Sequence, residues 1–146
     1  MAGTSPAHCG KIVQRVLVDA GAIVALLNRR DRWHARSAAF FDGFAGVAFT
    51  TWSVLAETWH LLPEHRRAAM LKWLEDGGTR VLHVPETELR SLRTLIARYG
   101  DRPMDLADAT LIWLAEQESV FDIVTVDTGF DTYRTLSGAR FANHLS

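Results

Sequence analysis

The sequence predicts an α/β fold in which a parallel sheet of four or five strands is covered by helices on both faces. Short runs rich in β-branched residues, such as VLV and IVTV, alternate along the chain with longer stretches of helical character. Apolar residues make up 48% of the 146 residues, which is enough to cover both faces of such a sheet in one domain.

The strands are predicted where apolar runs are short and mostly β-branched or aromatic. These runs lie at residues 16–18, 46–51, 80–84 and 121–126, and a further short strand is predicted near 139–142. Because helical segments separate them, the strands are expected to pair in parallel through crossover connections.

The helices are predicted from apolar spacing and from the glycines and prolines that bound each segment. They are expected at residues 20–27, 32–43, 52–62, 64–75, 86–99, 104–118 and 130–136. Asp31 is a candidate cap for the second of these helices, Pro63 ends the third, and Gly100 follows the fifth.

Composition limits both location and partners. The net charge is −1, so any contact with a polyanion must come from a local patch or from a bound metal. Cys9 is the single cysteine, which excludes an internal disulfide, and no apolar run is long enough to cross a membrane. Residues 1–15 are interpreted as a flexible leader without a signal peptide, and residues 16–146 as the domain, so a cytoplasmic location is expected.

Two acidic residues directly follow predicted strands. Asp19 follows VLV, and Asp127 follows IVTV. Ligands of open parallel sheets bind beyond the carboxyl ends of the strands, so both carboxylates are expected at the site. Each residue could instead cap the helix that follows it, which is the simpler structural explanation.

Three further acids lie in segments predicted to be helical. Glu57 and Asp108 are single charges in largely apolar surroundings, and Asp105 lies three residues before Asp108, on the same helix face. Asp105 could equally interact with the positive end of the helix dipole. Several such carboxylates can be buried together only if a cation neutralises them. Oxygen ligands without cysteine or paired histidine predict Mg²⁺, with Mn²⁺ as a substitute.

The chain carries four segments in the order typical of a PIN domain: VLVDAGAIVALLNRRDRWH, TTWSVLAETWHLL, MDLADATLIWLAE and IVTVDTGFDTYR. More narrowly, it resembles the VapC-like ribonuclease toxins of bacterial toxin–antitoxin pairs. The resemblance covers residues 16 to about 143. It implies a three-layer α/β/α sandwich and Mg²⁺-dependent hydrolysis of RNA phosphodiester bonds. It also implies a cognate antitoxin protein and a homodimer.

By motif position, the resemblance implies that Asp19, Glu57, Asp108 and Asp127 form the catalytic acidic quartet, and that Asp105 is an additional metal ligand. Thr125 matches a hydroxyl residue found in many members two positions before the last acid. Two positions depart from the common pattern: Ala20 replaces a hydroxyl residue after the first acid, and Thr128-Gly129 replaces a basic pair. Arg134 could compensate for the missing basic residues.

The same residues are compatible with other functions, which the sequence favours less. The main alternative is a catalytically weak PIN-type module that binds RNA or an antitoxin. A phospho-acceptor domain using Asp19 is disfavoured, because Gly21 stands where a second acid is needed and no lysine lies near the last strand. Nucleotide-binding glycine motifs are absent. The run of Arg29, Arg30, Arg32 and Arg36 is interpreted first as a solvated face, and otherwise as a contact for phosphates.

Overall fold

The predicted alternation of strands and helices is present in the computed structural model, which describes residues 13–146. The strands are β1 (Arg15–Val18), β2 (Val47–Thr51), β3 (Arg80–Leu82), β4 (Asp122–Val124) and β5 (Ala142–Asn143). The helices are α1 (Ala20–Leu27), α2 (His34–Gly43), α3 (Trp52–Leu61), α4 (Arg67–Glu75), α5 (Leu89–Arg98) and α6 (Leu106–Glu118). The predicted α/β class is therefore confirmed.

The strands form one sheet in the order β3-β2-β1-β4-β5, and every pairing is parallel. Val16, Leu17 and Val18 of the central strand β1 are each 0% exposed. Because successive side chains of a strand point to opposite faces, helices must cover the sheet on both sides. This gives the predicted three-layer sandwich with five strands.

The order of the strands places the carboxyl ends of β1 and β4 side by side. Val18 is paired with Val124, and the amide of Asp19 donates to the carbonyl of Val124 at 3.1 Å. The chain leaves β1 towards β2 on one side, whereas β4 and β5 lie on the other side. This reversal is the switch point at which parallel sheets open a cleft.

Several predicted boundaries were wrong, because side chains make turns there. The α2 helix begins at His34, since Asp31 accepts from the amide of Trp33 at 2.8 Å in a preceding turn. Short 3₁₀ turns at Glu64–Arg66 and Glu86–Glu88 precede α4 and α5. The helix predicted at 130–136 is instead a 3₁₀ turn at Thr128–Asp131.

The strand ends also differ from the prediction. Both β3 and β4 end two residues earlier than expected, and the last strand forms at Ala142–Asn143 rather than at 139–142. Arg15 belongs to β1, and residues 1–12 of the predicted leader lie outside the described residues. Among residues 13–146, no helix is long and apolar enough to cross a membrane.

Candidate acidic metal centre

Three carboxylates from separate parts of the sequence meet at the carboxyl ends of β1 and β4. One oxygen from each of Asp19, Asp108 and Asp127 lies within 4.8 Å of the other two. Asp19 and Asp108 are buried, whereas Asp127 is exposed. The structure thus brings together three of the five acids that the sequence analysis singled out.

Asp19 is held on both of its oxygens. Its Oδ1 accepts from the amide of Ala20 at 2.8 Å, as expected of a helix cap, and its Oδ2 accepts from the hydroxyl of Thr125 at 2.9 Å. Only 5% of the residue is exposed. Asp19 can therefore cap α1 and also bind a ligand at the site, because each of its oxygens retains a lone pair directed away from the hydrogen-bond donor.

Thr125 connects two of the acids. Its Oγ1 donates to Asp19 and accepts from the amide of Asp127 at 2.9 Å, and the residue is 1% exposed. Oδ1 of Asp127 accepts from the amide of Gly129 at 2.8 Å, which leaves Oδ2 free of hydrogen bonds within residues 13–146. One hydroxyl therefore sets the position of a carboxylate on β1 relative to the chain that follows β4.

Asp105 and Asp108 form a reciprocal capping box at the start of α6. Oδ1 of Asp105 accepts from the amide of Asp108 at 2.8 Å, and Oδ2 of Asp108 accepts from the amide of Asp105 at 3.4 Å. Asp105 thus lies just outside the helix, as its N-cap, and is exposed, whereas Asp108 is 6% exposed. Asp105 therefore caps α6, and the box also fixes the carboxylate of Asp108 at the start of this helix.

Two buried threonines join α6 to the sheet. The hydroxyls of Thr51, at the end of β2, and Thr110, two residues after Asp108, lie 2.8 Å apart. Thr51 also accepts from the amide of Val54 at 3.4 Å and so caps α3. The helices that carry Glu57 and Asp108 are in this way fixed to the same strand end.

Glu57 lies on α3 and is half-buried. It is not one of the three carboxylates that converge within 4.8 Å. Burial raises the pKa of Glu57 to about 7, and the negative charges of Asp105, Asp19 and Asp127 add to this effect. The side chain of Glu57 is therefore close enough to the cluster to interact with its charges, although it is outside the group of three converging carboxylates.

The buried members of the cluster resist ionisation. The pKa of Asp19 is raised to about 6 and that of Asp108 to about 8; burial is the largest cause in both cases, and neighbouring carboxylates contribute to both values. Within residues 13–146, the side-chain contacts between basic and acidic groups are Lys72 with Asp76 and the imidazole of His144 with Asp122, so none neutralises the cluster. A donor set of carboxylate oxygens without a paired cation fits a hard divalent ion.

Two residues near the cluster carried no local sequence signal. Tyr133 is buried, and burial followed by the charges of Asp108, Asp127 and Asp105 raises its pKa to about 12. Arg102 donates to Thr132 at 3.4 Å and lowers the pKa of Tyr133 slightly through its charge. Both residues reach this edge only through tertiary packing, so spacing along the chain could not have identified them.

Glycines at or next to the two departures from the common motif lie in close contacts. A Cβ added to Gly21 would meet Cγ2 of Val126 at 2.4 Å, so the start of α1 lies directly against the segment between Thr125 and Asp127. A Cβ on Gly129 would lie 3.1 Å from Oδ1 of Asp127 and from the ring of Tyr133. Arg134 donates to the carbonyls of Asp131, Thr132 and Tyr133, so its guanidinium stabilises this turn.

Comparison with known proteins agrees with the geometry. Ribonuclease VapC26 of Mycobacterium tuberculosis is 24% identical over 131 residues, which cover 86% of this chain and 97% of that protein. The crystal structure of M. tuberculosis VapC20, described as a sarcin-ricin loop cleaving toxin, superposes with a TM-score of 0.72. The two are 24% identical, and the match covers 80% of this chain and 93% of that chain.

A second solved structure is VapBC2 from Rickettsia felis, bound to a DNA fragment from their promoter. It has a TM-score of 0.61 and 11% identity, covering 89% of this chain and 98% of that chain. FitAB bound to a DNA fragment has a TM-score of 0.60 and 19% identity, covering 90% and 96% respectively. The family model described as PIN domain matches residues 16–136. The chain therefore belongs to the PIN-domain family.

Proposed function

We propose that this protein is a Mg²⁺-dependent endoribonuclease of the VapC type, for which Mn²⁺ can substitute. The convergence of Asp19, Asp108 and Asp127 within 4.8 Å carries the proposal. Family membership and the similarity to ribonuclease VapC26 support RNA as the substrate class. The reaction is hydrolysis of a phosphodiester bond.

Asp19, Asp108 and Asp127 would hold the ion, with Glu57 and Asp105 completing the set of acids around it. A bound divalent ion would supply Lewis-acid polarisation of a phosphoryl oxygen and would make a water molecule more acidic. Two features indicate that these residues fit a divalent ion. The donor atoms are all carboxylate oxygens, and the pKa values of Asp19 and Asp108 are raised. Both features describe a site that gains stability from a positive charge.

The protein's own contribution is the orientation of these oxygens before the substrate arrives. The amides of Ala20 and Gly129 and the hydroxyl of Thr125 each occupy one lone pair of an acid. The remaining lone pairs of Asp19 and Asp127 are left for the ion. Such outer hydrogen bonds reduce the reorganisation needed at the reacting centre.

We also propose that the protein acts with a cognate antitoxin, forms a homodimer and works in the cytoplasm. The similarity to the FitAB and VapBC2 structures, which are antitoxin complexes, supports the first of these. Co-expression with the product of the neighbouring reading frame, followed by size-exclusion chromatography with light scattering, tests the partner and the dimer together. A monomeric chain that captures no neighbouring product would contradict both.

A metal titration tests the activity itself. Purified protein is incubated with a mixture of cellular RNAs in EDTA, and Mg²⁺ or Mn²⁺ is then added in increasing amounts. Cleavage is expected to require the ion, to be restored by Mn²⁺, and to be lost in the Asp108→Asn variant. Circular dichroism checks that this variant is folded. Equal cleavage in EDTA, or full activity of Asp108→Asn, would contradict the proposal. RNA binding without cleavage under every condition would favour the catalytically weak module.

A further inference from the structure

A second charged feature lies away from the acidic cluster, at the carboxyl end of α1. It is a cavity of about 520 Å³. Its lining residues are Asn28, Arg29, Arg30, Pro63, His65 and Arg66. Three of these six carry a guanidinium, and none is an acid, although the whole chain has a net charge of −1. Three arginines thus surround one recess whose wall is otherwise mostly apolar, and we call it the arginine pocket.

The arginine pocket is partly preorganised. Nε of Arg66, which is half-buried, donates to the carbonyl of Leu27 at 2.7 Å, and this bond anchors the guanidinium at the end of α1. The side chain of Asn28 accepts from the amide of Arg30 at 3.2 Å and shapes the loop. Within residues 13–146, the remaining N–H groups of Arg66 make no hydrogen bond and are available to a ligand.

The arginines of this pocket are not paired with carboxylates among residues 13–146. Asp31 and Glu64 adjoin the lining residues in sequence, but neither of the salt-bridge contacts among residues 13–146 involves these arginines. Arg32 and Arg36 lie apart from the recess, where their guanidinium carbons are 5.3 and 5.1 Å from the ring centre of Trp33. The arginines therefore keep their capacity to bind an external anion.

We propose that the arginine pocket binds backbone phosphates of the RNA substrate, as a second contact remote from the cutting site. Guanidinium groups bind phosphate oxygens through paired N–H donors, and such contacts position a nucleic acid without reading its sequence. The choice of RNA as the polyanion rests on the proposed function. An acidic polypeptide is the competing ligand, and the experiment below distinguishes the two.

The spacing of the two sites predicts how the contact depends on RNA length. They lie at opposite ends of α1, whose eight residues span about 12 Å. A strand stacked as in a duplex advances by about 3.4 Å per nucleotide, so about four stacked nucleotides span this distance. A dinucleotide should therefore be indifferent to the pocket, whereas longer and folded RNAs should gain from it.

The test compares Arg29→Gln/Arg30→Gln with Arg90→Gln/Arg93→Gln. All four arginines are exposed, so the second variant removes the same charge from α5 as a matched control. We expect the pocket variant to lower kcat/KM about tenfold for folded RNAs, to leave dinucleotide cleavage unchanged, and to reduce the slope of affinity against salt by about one to two. An equal loss on the dinucleotide, or behaviour like that of the control, would overturn the proposal.

Binding measured separately distinguishes this proposal from the nuclease itself. Fluorescence anisotropy with a labelled hairpin RNA in EDTA reports affinity without cleavage, and polyglutamate serves as the acidic polypeptide. Weaker RNA binding by the pocket variant supports the proposal that the arginine pocket binds RNA. This holds even if the protein cuts no RNA, and then only the proposed nuclease function fails. Unchanged RNA binding together with lost polyglutamate binding would instead assign the pocket to a protein ligand.

Discussion

The two ends of α1 carry opposite charge in different ways. At its start, Asp19 lies under protein atoms beside Asp108, and both residues are at most 6% exposed. At its end, Arg29 and Arg30 are exposed around an open recess. Both ends have the sign that the helix dipole favours, since acids are stabilised at a helix start and bases at a helix end.

The difference shows what burial does to a charge. The acids at the start of α1 are desolvated, and the pKa of Asp108 rises to about 8 because burial penalises its ionised form. The arginines at the other end remain solvated, so they require no partner to be stable. A buried acidic cluster therefore implies a bound ligand more strongly than an exposed basic patch does.

The largest effect is expected from removing one charge of the cluster without removing its hydrogen bond. Asp127→Asn keeps an oxygen for the amide of Gly129 but loses a negative charge at the ion site. We expect kcat/KM for RNA to fall by at least about 100-fold, since even the outer partners of metal ligands are worth about 10–100-fold. Asp131→Asn, an exposed acid four residues later, is the control and should match the wild type. A similar rate for both variants would remove Asp127 from the site.

A smaller effect is expected from the hydroxyl that joins two of the acids. Thr125→Val removes the donor to Asp19 and the acceptor for the amide of Asp127 at nearly constant volume. Mg²⁺ affinity should weaken by about 10–100-fold, because the carboxylate of Asp19 loses a donor and the backbone of Asp127 loses the hydroxyl that positions it. Thr125→Ser restores the hydroxyl and should recover most of the affinity, as measured by calorimetric titration. Failure of serine to rescue would indicate a packing role instead.

The smallest effect is expected on stability, and its sign is opposite to that on activity. Burial, with neighbouring carboxylates, raises the pKa values of Asp19, Glu57 and Asp108 above their ordinary values of 3.8, 4.5 and 3.8, to about 6, 7 and 8. The metal-free folded protein therefore keeps protons that the unfolded chain releases. Its free energy of unfolding should fall as pH rises from about 4 to about 8.

Asp108→Asn should relieve part of this pH-dependent loss. At pH 8 we expect the metal-free variant to be more stable than the wild type by about 2 kcal/mol. This is a fraction of the free energy that corresponds to the full pKa shift of Asp108, because solvent screens its charge and neighbouring carboxylates also bind protons. Mg²⁺ should stabilise the wild type more at pH 8 than at pH 6, since protons compete with the ion. Urea unfolding curves with and without Mg²⁺ measure both effects. A metal-free wild type that becomes more stable towards pH 8 would contradict them.

The elements with a strong local signal were predicted well. The α1 helix was expected at residues 20–27 and occupies Ala20–Leu27, because its apolar run is bounded by Asp19 and Asn28. Where side chains compete for backbone amides, prediction was less accurate. Asp31 and Asp127 both make local turns rather than regular helix starts, so α2 begins late and a 3₁₀ turn replaces the last predicted helix.

The sequence by itself determined which residues could carry the chemistry. Acids that follow buried strands or interrupt apolar helices can be identified without coordinates, because an unpaired charge in such a place is costly. Asp19, Asp108 and Asp127 were all found in this way. The alternation of strands and helices likewise determined the parallel α/β class.

Only the tertiary structure decided which of these residues meet. The strand order places β4 beside β1, which brings Asp127 to Asp19 across more than 100 residues, and the pair Thr51–Thr110 joins α6 to the same edge. It also decided that Asp105 caps a helix and that Tyr133 lies near the cluster. The physical reason is that pairing order and side-chain hydrogen bonds depend on contacts distant in sequence, which local periodicity does not encode.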